Sequence, residues 1–588
     1  MRKQSDSLQL SCRFRSSFLC LAIMVGFAMI GGRLFFLQVL NADQGADQVK
    51  RQQERSMTVK ADRGRITDRH GKSLALNIEV PSLFAEPGSI PHPVQTAKKL
   101  APLVNISVSR LAKILQKKHS FVWIKRQLDH ASAQSIEGFS LPGIHTIQET
   151  RRYYPKGLLL AHALGFAGID NQGLEGIERR YDPYLKGENS LRNLQRDALG
   201  RLLVPVGLGN QRPSHGHHLR LTIDEVIQYI AEQELDKALD RTGAKRGMIL
   251  IMEPGTGAML AWALRPSFNP NHLLRLSPNR WRNRAITDPY EPGSTLKIVT
   301  AAAALEKGIV NPGTLIYGGE GSMKFAGTVV HDPAKSGWMT FSEAITHSSN
   351  VGIIKTALSL GKESLYEYLH AFGFGEKTHI DLPGESGGIL KSPEHWGNRT
   401  LASIAIGQEI AVTPIQLIAA MSSIANGGWL LQPYLVSEIR DSSDTLIFQR
   451  TSEVKRRPIS HKTAKTLTGL LENVVRNGTG KRAQVSGYRV AGKTGTAQKF
   501  DTKTGKYSSS KLIGSFVGFV PSENPALTIL VILDEPKTKA WGGVIAAPVF
   551  SRVAERVLQY MGVTPSAPRA IKTAFVVRNR NGTVPRIP

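Results

Sequence analysis

Ser294 and Lys297 are the pair whose types and spacing could do covalent chemistry. They stand in Glu291-Pro292-Gly293-Ser294-Thr295-Leu296-Lys297, followed by the apolar Ile298-Val299-Thr300-Ala301-Ala302-Ala303-Ala304-Leu305. Pro and Gly before the serine and good helix formers after it place Ser294 at a helix N-terminus. Lys297, three residues on, then returns to the same face within hydrogen-bond reach. A serine hydroxyl is a poor nucleophile until a base takes its proton. A lysine serves as that base only where burial or cationic neighbours lower its pKa from about 10.4 toward neutrality. The helix N-terminus in turn favours a developing oxyanion.

Taken alone, S-x-x-K says little, because Ser359 with Lys362, Ser452 with Lys455 and Ser508 with Lys511 share the spacing and read as surface pairs. The accompanying set decides. His347-Ser348-Ser349-Asn350 supplies S-x-N, in which the Ser348 hydroxyl could relay a proton and the Asn350 amide could bind substrate and hold Lys297. Ser277-Pro278-Asn279 has the same form in a polar loop and is set aside. Lys493-Thr494-Gly495-Thr496 follows a strand-like run with glycines that allow close backbone approach. A lysine and the Thr494 and Thr496 hydroxyls on an edge strand would suit the carboxylate of a peptide terminus. The Thr496 N–H could join that of Ser294 as an oxyanion hole. Lys503-Thr504-Gly505 repeats the tripeptide in a charged loop and is read as coincidence.

The elements that must position these residues are legible in outline. Asp224 can cap a helix carrying Ile227, Ile230, Ala231, Leu235, Ala238 and Leu239 on one face and ending near Gly243. Apolar runs 247–252 and 258–262 flank Glu253-Pro254-Gly255-Thr256-Gly257 as a hairpin, and runs 515–520 and 527–533 repeat the pattern, so strands bracket a helical middle. Upstream, a turn-rich entry leads to a short strand Ser73-Leu74-Ala75-Leu76. Residues 93–135 read as helical, with Ala97, Leu100, Leu103, Leu111, Ile114 and Leu115 at helical spacing. The texture then changes to short elements and loops, with the major boundary just before residue 221.

The chain has 588 residues, enough for several domains, with 75 Lys and Arg against 47 Asp and Glu, a net +28. That balance selects anionic partners without choosing among them. Aromatics are 7%, with no aromatic-and-basic alternation of the kind that stacks bases, so nucleic acid is not expected. Both cysteines, Cys12 and Cys20, lie near the N-terminus, which excludes a disulfide scaffold and a thiolate metal site beyond them. Residues 16–40 form a stretch long enough for a bilayer, broken only by Arg33, which can snorkel. Arg2, Lys3, Arg13 and Arg15 precede it against Asp6, so the positive-inside rule puts the N-terminus in the cytoplasm. A cleaved signal peptide is the rival reading, but no clear A-x-A site follows Leu40 and an uncleaved anchor is expected. Beyond about residue 564 no apolar periodicity remains, and a disordered basic tail is expected.

S-x-x-K, S-x-N and K-T-G in this order resemble the signature set of penicillin-binding proteins and serine β-lactamases. The resemblance extends from about residue 60 to 560. Arg63-Gly64-x-Ile66-x-Asp68-Arg69, Tyr154-Pro155, His162-x-Leu164-Gly165 and Gly173 with Gly176-x-Glu178 look like the non-catalytic module of class B members. Leu221-Thr222-Ile223-Asp224, Pro266-x-Phe268-Asn269-Pro270-Asn271, Gly407-Gln408, Thr413-Pro414 and Ala546-Ala547-Pro548-Val549-Phe550 look like their transpeptidase domain. Glu291 ahead of Pro292-Gly293-Ser294 is closer to the FtsI-type division enzymes than to those of elongation, and His70 departs from the Asn of many relatives.

The resemblance implies an α+β chain: a cytoplasmic N-terminus (1–15), a single transmembrane helix (16–40), an elongated dimerisation or pedestal module (41–220), a β-lactamase-like transpeptidase domain with an antiparallel sheet flanked by helices (221–563), and the tail (564–588). It implies a D,D-transpeptidase of the inner membrane that works at the septum from the periplasm. Ser294 would be the acyl-ester nucleophile, Lys297 the base, Ser348 the relay, Asn350 and Lys493 catalytic, and Thr494, Gly495 and Thr496 substrate-binding. No metal or cofactor is implied. Partners would be peptidoglycan stem peptides and their lipid-linked precursor, β-lactams, an FtsW-type glycosyltransferase and other division proteins, and the membrane. A β-lactamase or carboxypeptidase would need a deacylating base that no feature identifies. A β-lactam-sensing receptor would need a cytoplasmic domain, and an elongation or specialised class B paralogue is separated by localisation.

Overall fold

The computed structural model describes residues 2–40, 54–196, 202–203, 213–273, 277–501, 505–538 and 541–566. The apolar run after Lys245 and the one after Gly257 pair antiparallel as β1 (Arg246–Met252) and β2 (Met259–Arg265). Gly257 turns the chain between them at φ +80°. Late in the chain, β3 (Ala491–Asp501), β4 (Lys506–Val520) and β5 (Leu527–Asp534) complete a five-stranded sheet in the order β2-β1-β5-β4-β3, antiparallel at every step.

These strands are almost continuously apolar because both faces are covered. Side chains alternate across a strand, and here they alternate between two cores. Ile249, Ile251, Ile529, Val531 and Leu533 join one core with α1 (Glu225–Thr242) and α6 (Ala547–Tyr560). Leu250, Met252, Leu530 and Ile532 join the other with α2 (Lys297–Glu306), α3 (Asn350–Leu360), α4 (Pro414–Ala425) and α5 (His461–Arg476). Asp224 caps α1 as its sequence position predicts, accepting from the N–H groups of Val226 and Ile227, and Gly243 ends it at φ +62°. His70 reaches this cap, its Nε2 2.9 Å from Asp224 Oδ2.

Upstream the structure corrects two expectations. The strand at Ser73 continues to Ala85 and pairs antiparallel with Ile144–Tyr153 over ten residues. Pro81 does not break it, because its carbonyl accepts from Leu128 on the side away from that partner, and its missing N–H faces the same way. The helical reading of 93–135 holds for Pro93–Val104, Val108–Leu115 and His130–Gly138, but strand Val122–Lys125 interrupts it. Leu83, Ala97, Leu100, Leu111, Leu115, Ile124 and Ile136 form the small core beneath.

The pedestal motif residues converge on a buried ion network. Glu178 accepts from Arg63 Nε and Arg152 Nε, each at 2.6 Å, and from the Tyr154 hydroxyl at 3.2 Å. Arg63 also reaches Asp182 at 2.5 Å. Burial works to raise the Glu178 pKa, and Arg152 and Arg63 outweigh it. Strand His218–Leu221 runs parallel to Ile66–Thr67 and antiparallel to Val436–Arg440, so one sheet draws strands from both sides of the boundary read near residue 220. By compactness the chain divides into residues 62–186 with 216–588, and residues 1–61 with 187–215. In the latter, Glu54–Val59 pairs antiparallel with the strand Ser190–Arg196.

That unit also holds an N-terminal helix, Arg2–Phe35, continued by a wider turn through Leu40. Its span Arg13–Val39 has a mean hydropathy of 2.1 and is wholly exposed. At 27 residues it would reach roughly 40 Å, more than the ~30 Å hydrocarbon core requires. The tail from residue 567 lies outside the described residues.

Candidate active site

Ser294 sits in a single tight turn, Gly293–Thr295, that leads into α2. Residues 297–304 are all buried, so the nucleophile is carried by a helix set in the core. The turn's entry is stitched to the loop at 407–409: Gly293 donates to the Gly407 carbonyl at 3.0 Å, and the Glu409 N–H to Glu291 Oε1 at 2.9 Å. Only glycine suits position 293. Its φ is +56°, and a Cβ there would lie 2.7 Å from the Thr496 carbonyl oxygen.

Three of the sequence-identified polar groups meet around Ser348. Lys297 Nζ donates to the Ser348 carbonyl and to Asn350 Oδ1, both at 2.7 Å, and lies 3.2 Å from Ser348 Oγ. From β3, Lys493 Nζ lies 2.9 Å from the same Oγ. The expected contact between Lys297 and Ser294 is not made. The two short bonds of Lys297 go to the Ser348 carbonyl and Asn350 Oδ1, and no hydrogen bond to Ser294 Oγ occurs among the described residues. Ser294 is half-buried and faces the cleft. Ser348 itself has φ +60°, a left-handed conformation costing about 1 kcal/mol or more for a serine, which the surrounding bonds hold.

Both lysines are fully buried. Burial first, and the charge of Lys493 second, push Lys297 well below the usual lysine range against the pull of Asp332. Burial alone pushes Lys493 down to about 7.

Strand β3 lies at the open edge of the sheet. A Cβ on Gly495 would come within 2.8 Å of Thr295 Cγ2 and 2.5 Å of Ser515 Oγ, so its missing side chain lets the strand lie against the nucleophile's turn. The Thr496 carbonyl faces Gly293. Carbonyl and N–H of one residue point to the same side of a strand, so the Thr496 N–H also faces the Ser294 turn. Thr494 Oγ1 lies 2.7 Å from Thr479 Oγ1, and Thr496 Oγ1 accepts from Gly542 at 3.1 Å.

Of these residues Ser294, Ser348, Asn350, Thr494 and Thr496 line a cleft of about 740 Å³. Thr479, Lys481, Arg482, Thr494 and Thr496 line it along with Glu291, Ser294 and Gln408, and Leu512, Trp541 and Val544 supply apolar wall. Sequence reasoning missed Thr479, Lys481, Arg482 and Asp332. Asp332 accepts from the N–H of Asn350 and Val351 and from Ser349 Oγ, and thereby fixes the start of α3. It lies 17 residues or more before its partners, so no local capping pattern could reveal it. Of the set-aside matches, Ser277-Pro278-Asn279 lies outside the cleft lining, and Lys503 and Thr504 fall outside the described residues.

Two family models match the chain: the penicillin binding protein transpeptidase domain over residues 247–555, and the penicillin-binding protein dimerisation domain over 58–221. The chain therefore belongs to the penicillin-binding proteins and is a class B member, with a dimerisation domain ahead of its transpeptidase domain. It is 37% identical to stage V sporulation protein D of Bacillus subtilis over 94% of this chain and 86% of that one. It is 31% identical to the peptidoglycan D,D-transpeptidase FtsI of Escherichia coli over 99% and 97%. Among solved structures, penicillin binding protein 3 of Mycobacterium tuberculosis in complex with aztreonam superposes with a TM-score of 0.69 at 27% identity, covering 87% of this chain and 99% of that one. Penicillin binding protein 2X of Streptococcus thermophilus gives 0.71 at 25%, covering 88% and 82%.

Proposed function

We propose that the protein is a membrane-anchored D,D-transpeptidase that crosslinks peptidoglycan stem peptides at the division septum through a Ser294 acyl-enzyme. The observation that carries the chemistry is the pair of buried lysines converging on Ser348 beside an unencumbered serine. A neutral Lys297 has two N–H donors, which suit the two short bonds to the Ser348 carbonyl and Asn350, and a lone pair left for a proton. In this reading Lys297, one helical turn from Ser294, takes its proton as Oγ attacks the penultimate D-Ala carbonyl. The Ser294 and Thr496 N–H groups receive the oxyanion. Ser348, bridging both lysines, passes a proton to the departing D-alanine. Lys493 with Thr494 and Thr496 holds the terminal carboxylate, Gly495 contributing only backbone. β-Lactams, which mimic that terminus, would acylate Ser294 and stay.

The apolar helix supports an anchor at 16–40, and the basic residues before it support a cytoplasmic N-terminus with a pedestal at 41–220, a catalytic domain at 221–563 and a tail at 564–588 on the periplasmic side. The Glu291-Pro292-Gly293-Ser294 context and the FtsI relative support a septal role with an FtsW-type glycosyltransferase as partner. The likeness to a sporulation protein supports a specialised class B role as the second reading.

Fluorescent penicillin should label the wild-type membrane fraction and keep its label for hours, and Ser294→Ala should abolish labelling. Label surviving that substitution would mean another nucleophile, and rapid release would mean a hydrolase. Recruitment of a fluorescent fusion to midcell separates the septal reading from the specialised one.

A further inference from the structure

One carboxyl in the cleft has no task in the acylation half-reaction. Glu291 lines the cleft with Ser294, three residues before it. Its Oε1 accepts from the Glu409 N–H and from the Tyr507 hydroxyl, each at 2.9 Å. Its Oε2 is buried and has no hydrogen-bond partner. A buried acceptor without a donor is costly, and among the described residues the charge acting on this carboxyl, that of Glu409, has the same sign. The same cleft carries Lys481, Arg482 and the two threonines of β3. Its lining therefore offers cationic groups for a donor carboxylate and, in Glu291, a carboxylate with an unused acceptor for a cation.

We infer that Glu291 is the binding group for the acceptor substrate: its carboxylate receives the protonated primary amine of the second stem peptide beside the Ser294 ester and takes its first proton. This rests on the transpeptidase reading above. An ammonium cannot attack until it loses a proton. Transfer of one proton to Glu291 frees the nitrogen lone pair, which forms the C–N bond at the ester carbonyl. Collapse of the adduct breaks the C–Oγ bond, and the second nitrogen proton passes through Lys297 to Ser294 Oγ. The products are the amide, free Ser294 and a protonated Glu291 that releases its proton to solvent. Burial, with Glu409 adding to it, pushes the Glu291 carboxyl up, which suits a proton acceptor better than a free carboxylate.

The test uses the full detergent-solubilised chain, acylated by a thioester analogue of the stem-peptide donor. The acyl-enzyme is then partitioned among water, D-alanine as a cationic amine and methanol as a neutral nucleophile. In E291Q the amide carbonyl can still accept from Glu409 and Tyr507, so only the charge is removed. Acylation and methanolysis should persist, while transfer to D-alanine falls roughly tenfold or more through a raised acceptor KM. Equal aminolysis in E291Q, or an equal loss of aminolysis and methanolysis, would overturn the inference. Absence of any acyl-enzyme in the wild type would overturn the transpeptidase reading itself.

Discussion

Two ammonium groups sharing one serine hydroxyl inside a low-dielectric core repel each other at high cost, so the lysines at the site divide their roles by charge. Lys297 must be neutral to accept a proton, and its depressed pKa moves that state down toward physiological pH. Lys493 must be charged to attract a carboxylate, and with its pKa pushed down to about 7 it loses that charge as pH rises through this value. The second-order rate of Ser294 acylation by penicillin should therefore be bell-shaped, rising as Lys297 deprotonates and falling on a limb centred near 7. Lys493→Arg keeps its charge across the range and should lose the falling limb. A wild-type rate that climbs without a maximum to about pH 9 would remove charged Lys493 from carboxylate binding.

Short elements hold these residues, and the α3 N-terminus is the most exposed to substitution. Asp332 fixes the Asn350 and Val351 N–H groups and the Ser349 hydroxyl, and Asn350 in turn grips Lys297. Asp332→Ala should cost about 1–2 kcal/mol in stability, as loss of a helix cap does. It should also slow penicillin acylation, because Asn350 is no longer held, while Asp332→Asn, which can still accept from backbone N–H, should recover part of both. Thermal unfolding and labelling kinetics on the same samples check this, and unchanged acylation in Asp332→Ala would detach the cap from the site. The serine, lysines and asparagine were legible because each sits in a motif only a few residues long. Their mutual geometry was not: the i,i+3 spacing placed Lys297 next to Ser294, whereas Ser348 and Asn350 at the start of α3, 51 residues or more away, draw its Nζ to themselves. Likewise, Pro81 concealed the length of its strand, since sequence does not show which side of a strand lacks a donor's partner.

At the scale of the whole molecule, the alternation of apolar runs identified the sheet, and the buried face of α1 followed from its period. What sequence could not supply is why the pedestal motifs contain so many charged residues. In the structure, Arg63, Arg152 and Glu178 are all buried, and each arginine finds its countercharge on the same carboxylate. The segments they join lie 115 and 26 residues apart in the chain, so the carboxylate closes long loops that apolar contacts alone leave loosely specified. Glu178→Gln keeps the volume and removes the charge, leaving the buried Arg152 without its carboxylate and Arg63 with Asp182 alone. The substitution should destabilise the chain by roughly 3–5 kcal/mol, seen as a lower unfolding temperature and earlier proteolysis within residues 62–186. None of Arg63, Arg152 and Glu178 lines the cleft that holds Ser294, so molecules still folded at low temperature should label with penicillin at the wild-type rate. Equal thermal stability of Glu178→Gln and wild type would show that the network is replaceable by neutral hydrogen bonds, and slowed labelling of folded molecules would show that the pedestal reaches the active site.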